Sequence, residues 1–99
     1  MKQRVYLVAY FKFDDRGAEY GFKRLHLQTV HIDWLEATTA ATTYFCDEGG
    51  WYEGSLIEER EVDTNMFHGR RVFYRWNSDT NQMEEMPSPE FFKDVVNLI

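Results

Sequence analysis

The segment SLIEEREVD, at residues 55–63, carries carboxylates at a spacing that could support acid–base chemistry. On a strand, Glu59, Glu61 and Asp63 would share one face, because side chains two residues apart point the same way. General acid–base catalysis needs two carboxyl groups whose surroundings separate their pKa values, and no feature of the sequence indicates burial of these acids. We therefore interpret the row as a solvated face, or as one paired with the arginines of RRVFYRW at residues 70–76.

The three histidines supply imidazole, the commonest metal-binding side chain in proteins. On a regular strand, His26 and His31 would face opposite sides, because side chains alternate along a strand. Neither belongs to a pattern with a second histidine or a cysteine at metal-binding spacing. We predict no metal site and no cofactor. A small-molecule or nucleotide pocket, or a small enzyme site, near His26 and His31 stays as the alternative.

Two other motifs associated with catalysis are incomplete. GGWYEGS, at residues 49–55, is rich in glycine but lacks the Lys-Ser/Thr ending of a phosphate-binding loop. No serine lies in the strand–turn–helix context that exposes a nucleophile. The sequence therefore predicts a protein that is not an enzyme.

The basic segment contains an arrangement found in proteins that bind single-stranded nucleic acid. On one sheet face, Arg71, Phe73 and Arg75 would place a ring between two guanidinium groups. The acids of residues 55–63 would lie beside it and repel phosphate, and the net charge of the chain is −6. We therefore expect a paired hairpin face and argue against nucleic acid as the partner.

Length and composition predict one folded domain over residues 1–99. A chain of 99 residues is too short for two cores, and an apolar content of 43% is sufficient for one. The one cysteine, Cys46, excludes an intramolecular disulfide and favours a reducing, cytoplasmic location. No apolar run reaches the length of a membrane span and the first residues lack a signal-peptide pattern, so we expect no membrane contact.

A turn signal, DDRG at residues 14–17, predicts that the chain begins with a β-hairpin. If these four residues alone form the loop, Phe11 pairs with Tyr20 and Lys12 with Glu19. Apolar residues then meet apolar residues and a base meets an acid, so this register is the expected one.

A helix is predicted after the first hairpin. Asp33 fits the N-cap position, and Glu36 three residues later completes a capping box. Apolar residues recur at helical spacing as far as Phe45, and Gly49 and Gly50 would end the helix.

The acidic and basic segments predict a second hairpin, with Glu61 opposite Arg71 and Leu56 opposite Trp76. NSDTNQ would turn the chain into a short edge strand, MEEM, and residues 88–99 would form a closing helix. The element order is ββαββ(β)α. We predict an α+β fold, with an antiparallel sheet of four to five strands and two helices packed on one face.

The charge distribution indicates the class of partner. Residues 32–63 hold nine acids and one base, so this part of the chain carries most of the negative charge. A small acidic domain without catalytic motifs is similar in general character to inhibitors encoded by phages and mobile elements, which act in the host cytoplasm. That similarity implies an acidic surface that occupies a basic nucleic-acid-binding groove on a host protein.

We therefore predict a non-enzymatic protein-binding module whose partner has a basic surface. Exposed aromatic residues would anchor the complex and carboxylates would surround them. Six residues are expected to form the surface: Glu48, Trp51, Tyr52, Glu53, Glu59 and Asp63. A homodimer that packs through Tyr6, Tyr10 and Leu25 is the third hypothesis.

Overall fold

Seven strands and one α-helix make up the part of the protein described by our computed structural model, which covers residues 3–43, 45–62 and 69–88. The main strands are β1 Arg4–Phe13, β2 Phe22–His31, β5 Gly54–Glu61, β6 Arg71–Asn77 and β7 Gln82–Met86. A separate short hairpin consists of β3 Cys46–Asp47 and β4 Gly50–Trp51, and helix α1 spans Trp34–Ala41. The main sheet is antiparallel, with the strand order β2-β1-β5-β6-β7.

Strand β1 lies inside the sheet and is apolar on both faces. Val8 and Tyr10 face α1 and are buried with Ile57. On the opposite face, a second buried cluster consists of Ala9, Phe11, Phe13, Leu56 and Phe73. Apolar side chains on both faces are typical of a strand that is covered on both sides.

Helix α1 begins where the sequence predicts and ends earlier. The Asp33 side chain accepts a hydrogen bond from the backbone N–H of Glu36, so the predicted N-cap is confirmed. The helix ends at Ala41, with Thr42 as its C-cap. Threonine hydroxyls in its second half and just after its end donate to backbone carbonyls three or four residues earlier, a pattern that weakens helices. The prediction that Gly49 and Gly50 end the helix is wrong, because they belong to the β3–β4 hairpin.

The first hairpin has a longer connection than predicted. Phe13 pairs with Phe22 and Phe11 with Leu25, so the predicted Phe11–Tyr20 register is wrong. Residues 14–21 form the connection, which contains a 3₁₀ turn and is closed by a hydrogen bond from the Asp14 N–H to the Gly21 carbonyl. The shift stacks Phe22 on Phe11, with ring centroids 4.9 Å apart.

A β-bulge at Gln28 changes the face on which the histidines lie. Val8 pairs with Thr29 and Ala9 with Leu27, so Gln28 is the extra residue. Because of this insertion, His26 and His31 point to the same face of the sheet, as partners of Tyr10 and Tyr6. The expectation that they face opposite sides is therefore wrong.

The second hairpin pairs in a different register. Glu58, and not Glu61, is opposite Arg71, and Leu56 is opposite Phe73 in place of Trp76. The difference is three residues, and an odd shift moves every side chain to the other face. The observed register is favoured because Leu56 and Phe73 both enter the second buried cluster.

The predicted arrangement of two helices in the order ββαββ(β)α is not the observed one. Of the described residues, 56% are in strands and 14% are helical, and α1 is the one helix longer than a single turn. The sequence predicted that residues 45–51 contain the end of a helix and its stop signal, but these residues include β3 and β4 instead. The helix predicted over residues 88–99 lies outside the described residues apart from its first position. The edge strand predicted over MEEM is confirmed as β7.

Tyr10 fastens α1 to the sheet. The proton of its hydroxyl is shared between two backbone carbonyls, those of Ala40 in the last turn of α1 and of Thr43 just beyond the helix. Burial raises the pKa of Tyr10 to about 12 from an ordinary value of 10.0. The neutral phenol is therefore part of what holds the helix in place.

We expect Tyr10→Phe to lower the free energy of unfolding by about 1–2 kcal/mol, because the carbonyl groups lose a buried donor. The folded pKa lies above the unfolded value, so the hydroxyl's contribution is complete below pH 10 and is lost as the pH rises towards 12. Urea unfolding of wild type and variant at pH 8 and pH 11 would show the difference shrinking. Tyr20→Phe, at a ring that is 54% exposed, is the control, and an equal loss from both variants would contradict the role of Tyr10.

Candidate functional site

The β3–β4 hairpin presents an exposed tryptophan at one end of the sheet. Its turn is formed by Glu48 and Gly49, and Gly50 adopts a φ of 106°, which glycine tolerates best. Trp51 follows and is 57% exposed. Large exposed rings are uncommon on a solvated surface and are frequent at binding sites.

A network centred on Asp47 fixes the geometry of this hairpin. Arg24 donates through Nη2 to both carboxylate oxygens of Asp47, at 2.7 and 2.9 Å. The hydroxyl of Tyr52 donates to Asp47 Oδ2 at 2.5 Å, and the Gly49 N–H donates to Oδ1 at 2.8 Å. The Arg24 guanidinium also lies over the Tyr52 ring, 4.6 Å from its centroid.

The hydrogen bonds of this network favour the charged form of the Asp47 carboxylate. Hydrogen bonds from Arg24, and next from Tyr52, lower the pKa of Asp47 to about 2. Burial, and then the hydrogen bond to Asp47, raise the pKa of Tyr52. At neutral pH the carboxylate is therefore charged and the phenol neutral, which is the state in which these hydrogen bonds form.

The hairpin also packs on the core, through aromatic contacts. The Phe45 ring lies against Tyr10 at a centroid distance of 4.9 Å and against Tyr52 at 5.7 Å. His26 stacks on Phe45 at 5.9 Å. Trp51 thus projects from a segment held both by charge and by packing.

A shallow pocket of about 230 Å³ lies beside Trp51. Its lining combines two indole rings with charges of both signs: Lys12, Trp51, Tyr52, Glu53, Arg75 and Trp76. The backbone of Glu53 is fixed from both sides, because its N–H donates to the Phe11 carbonyl and its carbonyl accepts from the Trp76 N–H. A second hollow, of about 350 Å³, shares Arg75 and Trp76 and adds Glu84 and Glu85.

The predicted binding residues do not all lie on this surface. Glu48, Trp51 and Glu53 are close along the chain at one end of the sheet, and Tyr52 is buried beneath them. Glu59 is near the other end of β5, about 20 Å from Glu53 at strand spacing, and its carboxylate lies 3.6 Å from Arg4. Residue 63 lies outside the described residues.

The basic face of the second hairpin is structural in large part. The Phe73 ring is buried, so it cannot stack on nucleic-acid bases. Arg71 and Arg60 approach the buried carboxylate of Glu58, with nitrogen–oxygen distances of 3.5 and 3.1 Å. Arg75 is exposed and is the member of the Arg71-Phe73-Arg75 set that reaches the Trp51 pocket.

The histidines do not share a pocket. His26 and His31 pair with Tyr10 and Tyr6, four residues apart on β1, which is about 13 Å at strand spacing. The Nε2 atom of His31 lies 2.8 Å from the Thr29 hydroxyl. Within the described ranges, no group of three or more His, Cys, Asp or Glu side chains could hold a metal ion.

Sequence reasoning missed Arg24, Asp47 and Trp76. Arg24 and Asp47 are 23 residues apart in the sequence, and their contact depends on how the chain folds between them. One local signal was present, because an Asp two residues before a Gly favours a turn in which the carboxylate accepts the backbone N–H. The odd register shift of the second hairpin moved Trp76 to the helix face.

We expect the amide proton resonance of Gly49 to titrate with a midpoint near pH 2, since its N–H donates to Asp47. The folded pKa lies below the ordinary value of 3.8, so the stabilisation from this carboxylate is present above that value and lost as pH falls through 2. NMR titration of wild type and Asp47→Asn would test this. The Arg16 amide, which donates to Asp14, is an internal control that should titrate near 2 in both proteins. A Gly49 midpoint near 4 would contradict the network.

No helix among the described residues is long and apolar enough to cross a membrane. The comparisons with protein-family models, with curated proteins and with solved structures found no match to this chain.

Proposed function

We propose that this protein is a non-enzymatic binding module that docks on a basic protein surface, with Trp51 as its anchor. The observation that carries the proposal is the exposed indole on a hairpin held by Arg24, Asp47 and Tyr52. A hairpin whose backbone is fixed before binding loses little conformational entropy when a partner covers it. Burial of such a ring supplies a large part of the affinity at protein interfaces.

The size of the Trp51 pocket favours a protein partner over a small molecule. Small-molecule sites are clefts of about 300–1,000 Å³ that enclose most of their ligand. The pocket beside Trp51 is about 230 Å³. Such a depression accommodates one side chain of a partner, while Trp51 and Trp76 contact the surface around it.

Unpaired carboxylates around the ring favour a basic partner. Glu48 and Glu53 make no ion pair with any described residue, whereas Asp47 is paired with Arg24. The net charge of −6 would speed encounter with a positively charged surface. Lys12 and Arg75 also line the pocket. The basic surface of the partner should therefore also carry a hydrogen-bond acceptor that these two side chains can reach.

A nucleic-acid-binding groove on another protein is the basic surface that we favour. Carboxylates can take the positions of phosphates in such a groove, and exposed indoles can take the positions of stacked bases. The protein would then act as an inhibitor, of the kind encoded by phages, in the cytoplasm of the host. Our proposal leaves Glu59 out of this interface, because its carboxylate lies near Arg4 at the far end of β5.

Matched variants test the proposal once a partner has been captured from a cell lysate and purified. We expect Trp51→Ala to raise the dissociation rate at least tenfold, because the anchor is lost. Tyr20→Ala, at another exposed ring, is the control and should change it less than twofold. Surface plasmon resonance would measure both, and an unchanged rate for Trp51→Ala would rule out the anchor.

The charge component is tested by reversing one carboxylate at each end of β5. Glu53→Lys and Glu61→Lys make the same change of charge, but only Glu53 lines the Trp51 pocket. We expect Glu53→Lys to slow association several-fold and to reduce its dependence on salt, with a smaller effect for Glu61→Lys. Equal effects of the two variants would mean that the Trp51 pocket is not the interface.

A further inference from the structure

The outer edge of β2 is long, apolar and open among the described residues. Strand β2 is ten residues long, and in the described sheet its only strand partner is β1. Leu27 and Val30 are 41% and 54% exposed, and Ile32 and Leu35, which follow the strand, are 73% and 71% exposed. Unpaired backbone groups beside exposed apolar side chains favour pairing with another strand.

Helix α1 makes one side of this edge into a groove. A hollow of about 440 Å³ is lined mainly by carbon atoms of His31, Leu35, Glu36, Thr39 and Ala40. Leu27 and Val30 lie on the opposite face of β2, since they pair with Ala9 and Leu7. A strand added along β2 would therefore find apolar surface for its side chains on both of its faces.

The bulge at Gln28 favours a second β2 as the added strand. On either side of the bulge, the alternation of β2 side chains is out of step by one residue. A regular strand can match the faces on both sides only by leaving one β2 residue without a partner, as β1 does at Gln28. A second β2 carries the same irregularity and can match on both sides with Gln28 of each copy opposite Thr29 of the other.

An antiparallel two-fold pairing satisfies this condition. When Leu27 of one copy is opposite Val30 of the other, His26 is opposite His31 and Leu25 is opposite Ile32. In β2, Leu27 and Val30 share one face, and His26 and His31 share the other, so both of these pairs agree in face. Each apolar pair occurs twice because of the symmetry.

The order of charges along the edge also favours an antiparallel copy. Lys23 and Arg24 lie at the start of β2, whereas Asp33 and Glu36 follow its end. Antiparallel pairing brings the basic end of each copy to the acidic end of the other, and parallel pairing would bring like charges together. Both bases already have carboxylate partners in their own chain, so this effect sets orientation more than affinity.

We infer that the chain forms a two-fold dimer through antiparallel pairing of β2 with β2 of a second copy, in the register that sets Leu27 opposite Val30. The two sheets then continue as one across the interface. Leu35 and Ile32 of each copy cover the edge of the other. This interface differs from the one through Tyr6 and Tyr10, because α1 buries Tyr10 and packs on Tyr6.

A complementation experiment with the full chain tests the interface and its register. Leu27→Glu and Val30→Lys each place a lone charge at an apolar pair, so each variant alone should be at least tenfold weaker in self-association than wild type. Mixed in equal amounts, they should form a heterodimer, because the new carboxylate of one lies opposite the new ammonium of the other. Sedimentation velocity would measure the three samples and wild type, and circular dichroism would confirm that each variant is folded.

Ser78→Lys, at an exposed turn residue remote from β2, is the control and should dimerise as wild type does. A monomeric wild type at millimolar concentration would overturn the dimer. Dimers of Leu27→Glu alone, or folded variants that stay monomeric when mixed, would overturn this interface and register.

Discussion

The structure depends on the burial of both faces of β1. Val8 and Tyr10 are covered by α1 on one side, and Ala9 and Phe11 are buried on the other, so this strand belongs to both clusters of the core. The Tyr10 hydroxyl then fixes the end of the helix, and its ring supports the hairpin that carries Trp51 through Phe45 and Tyr52.

The sequence predicted local features well and registers poorly. The Asp33 cap and the β7 edge strand depend on short-range chemistry, and both are present. The hairpin registers depend on which aromatic residues meet across strands. In the first hairpin, stacking of Phe22 on Phe11 outweighed the pairing of Lys12 with Glu19 that local turn chemistry suggested. The bulge at Gln28, which has no marker residue, determined the faces of both histidines.

The candidate site was predictable to the extent that it depends on chain neighbours. Glu48, Trp51 and Glu53 lie within six consecutive positions, so their proximity required no knowledge of the fold. The contacts that hold this segment could not be predicted from the sequence, because the Arg24–Asp47 ion pair joins strand β2 to β3. Lys12 and Trp76 reach the pocket only because of the registers of the two hairpins. Asp47 illustrates the difference: as an acid it adds to the negative charge of the segment, but in the fold it is a structural carboxylate.

The same distinction explains the acids of residues 55–63. Glu58 is buried, with nitrogen atoms of Arg60 and Arg71 within 4 Å, and Glu59 is close to Arg4. The negative charge of a buried carboxylate and the positive charges of two neighbouring guanidinium groups offset one another, which lowers the cost of burying them. Such a carboxylate is not available to a partner. Charge counted along the sequence is therefore a poor guide to a binding surface. A better guide is the set of carboxylates that lack an ion-pair partner and lie beside an exposed ring on a hairpin held by hydrogen bonds, which in the described chain selects the neighbourhood of Trp51.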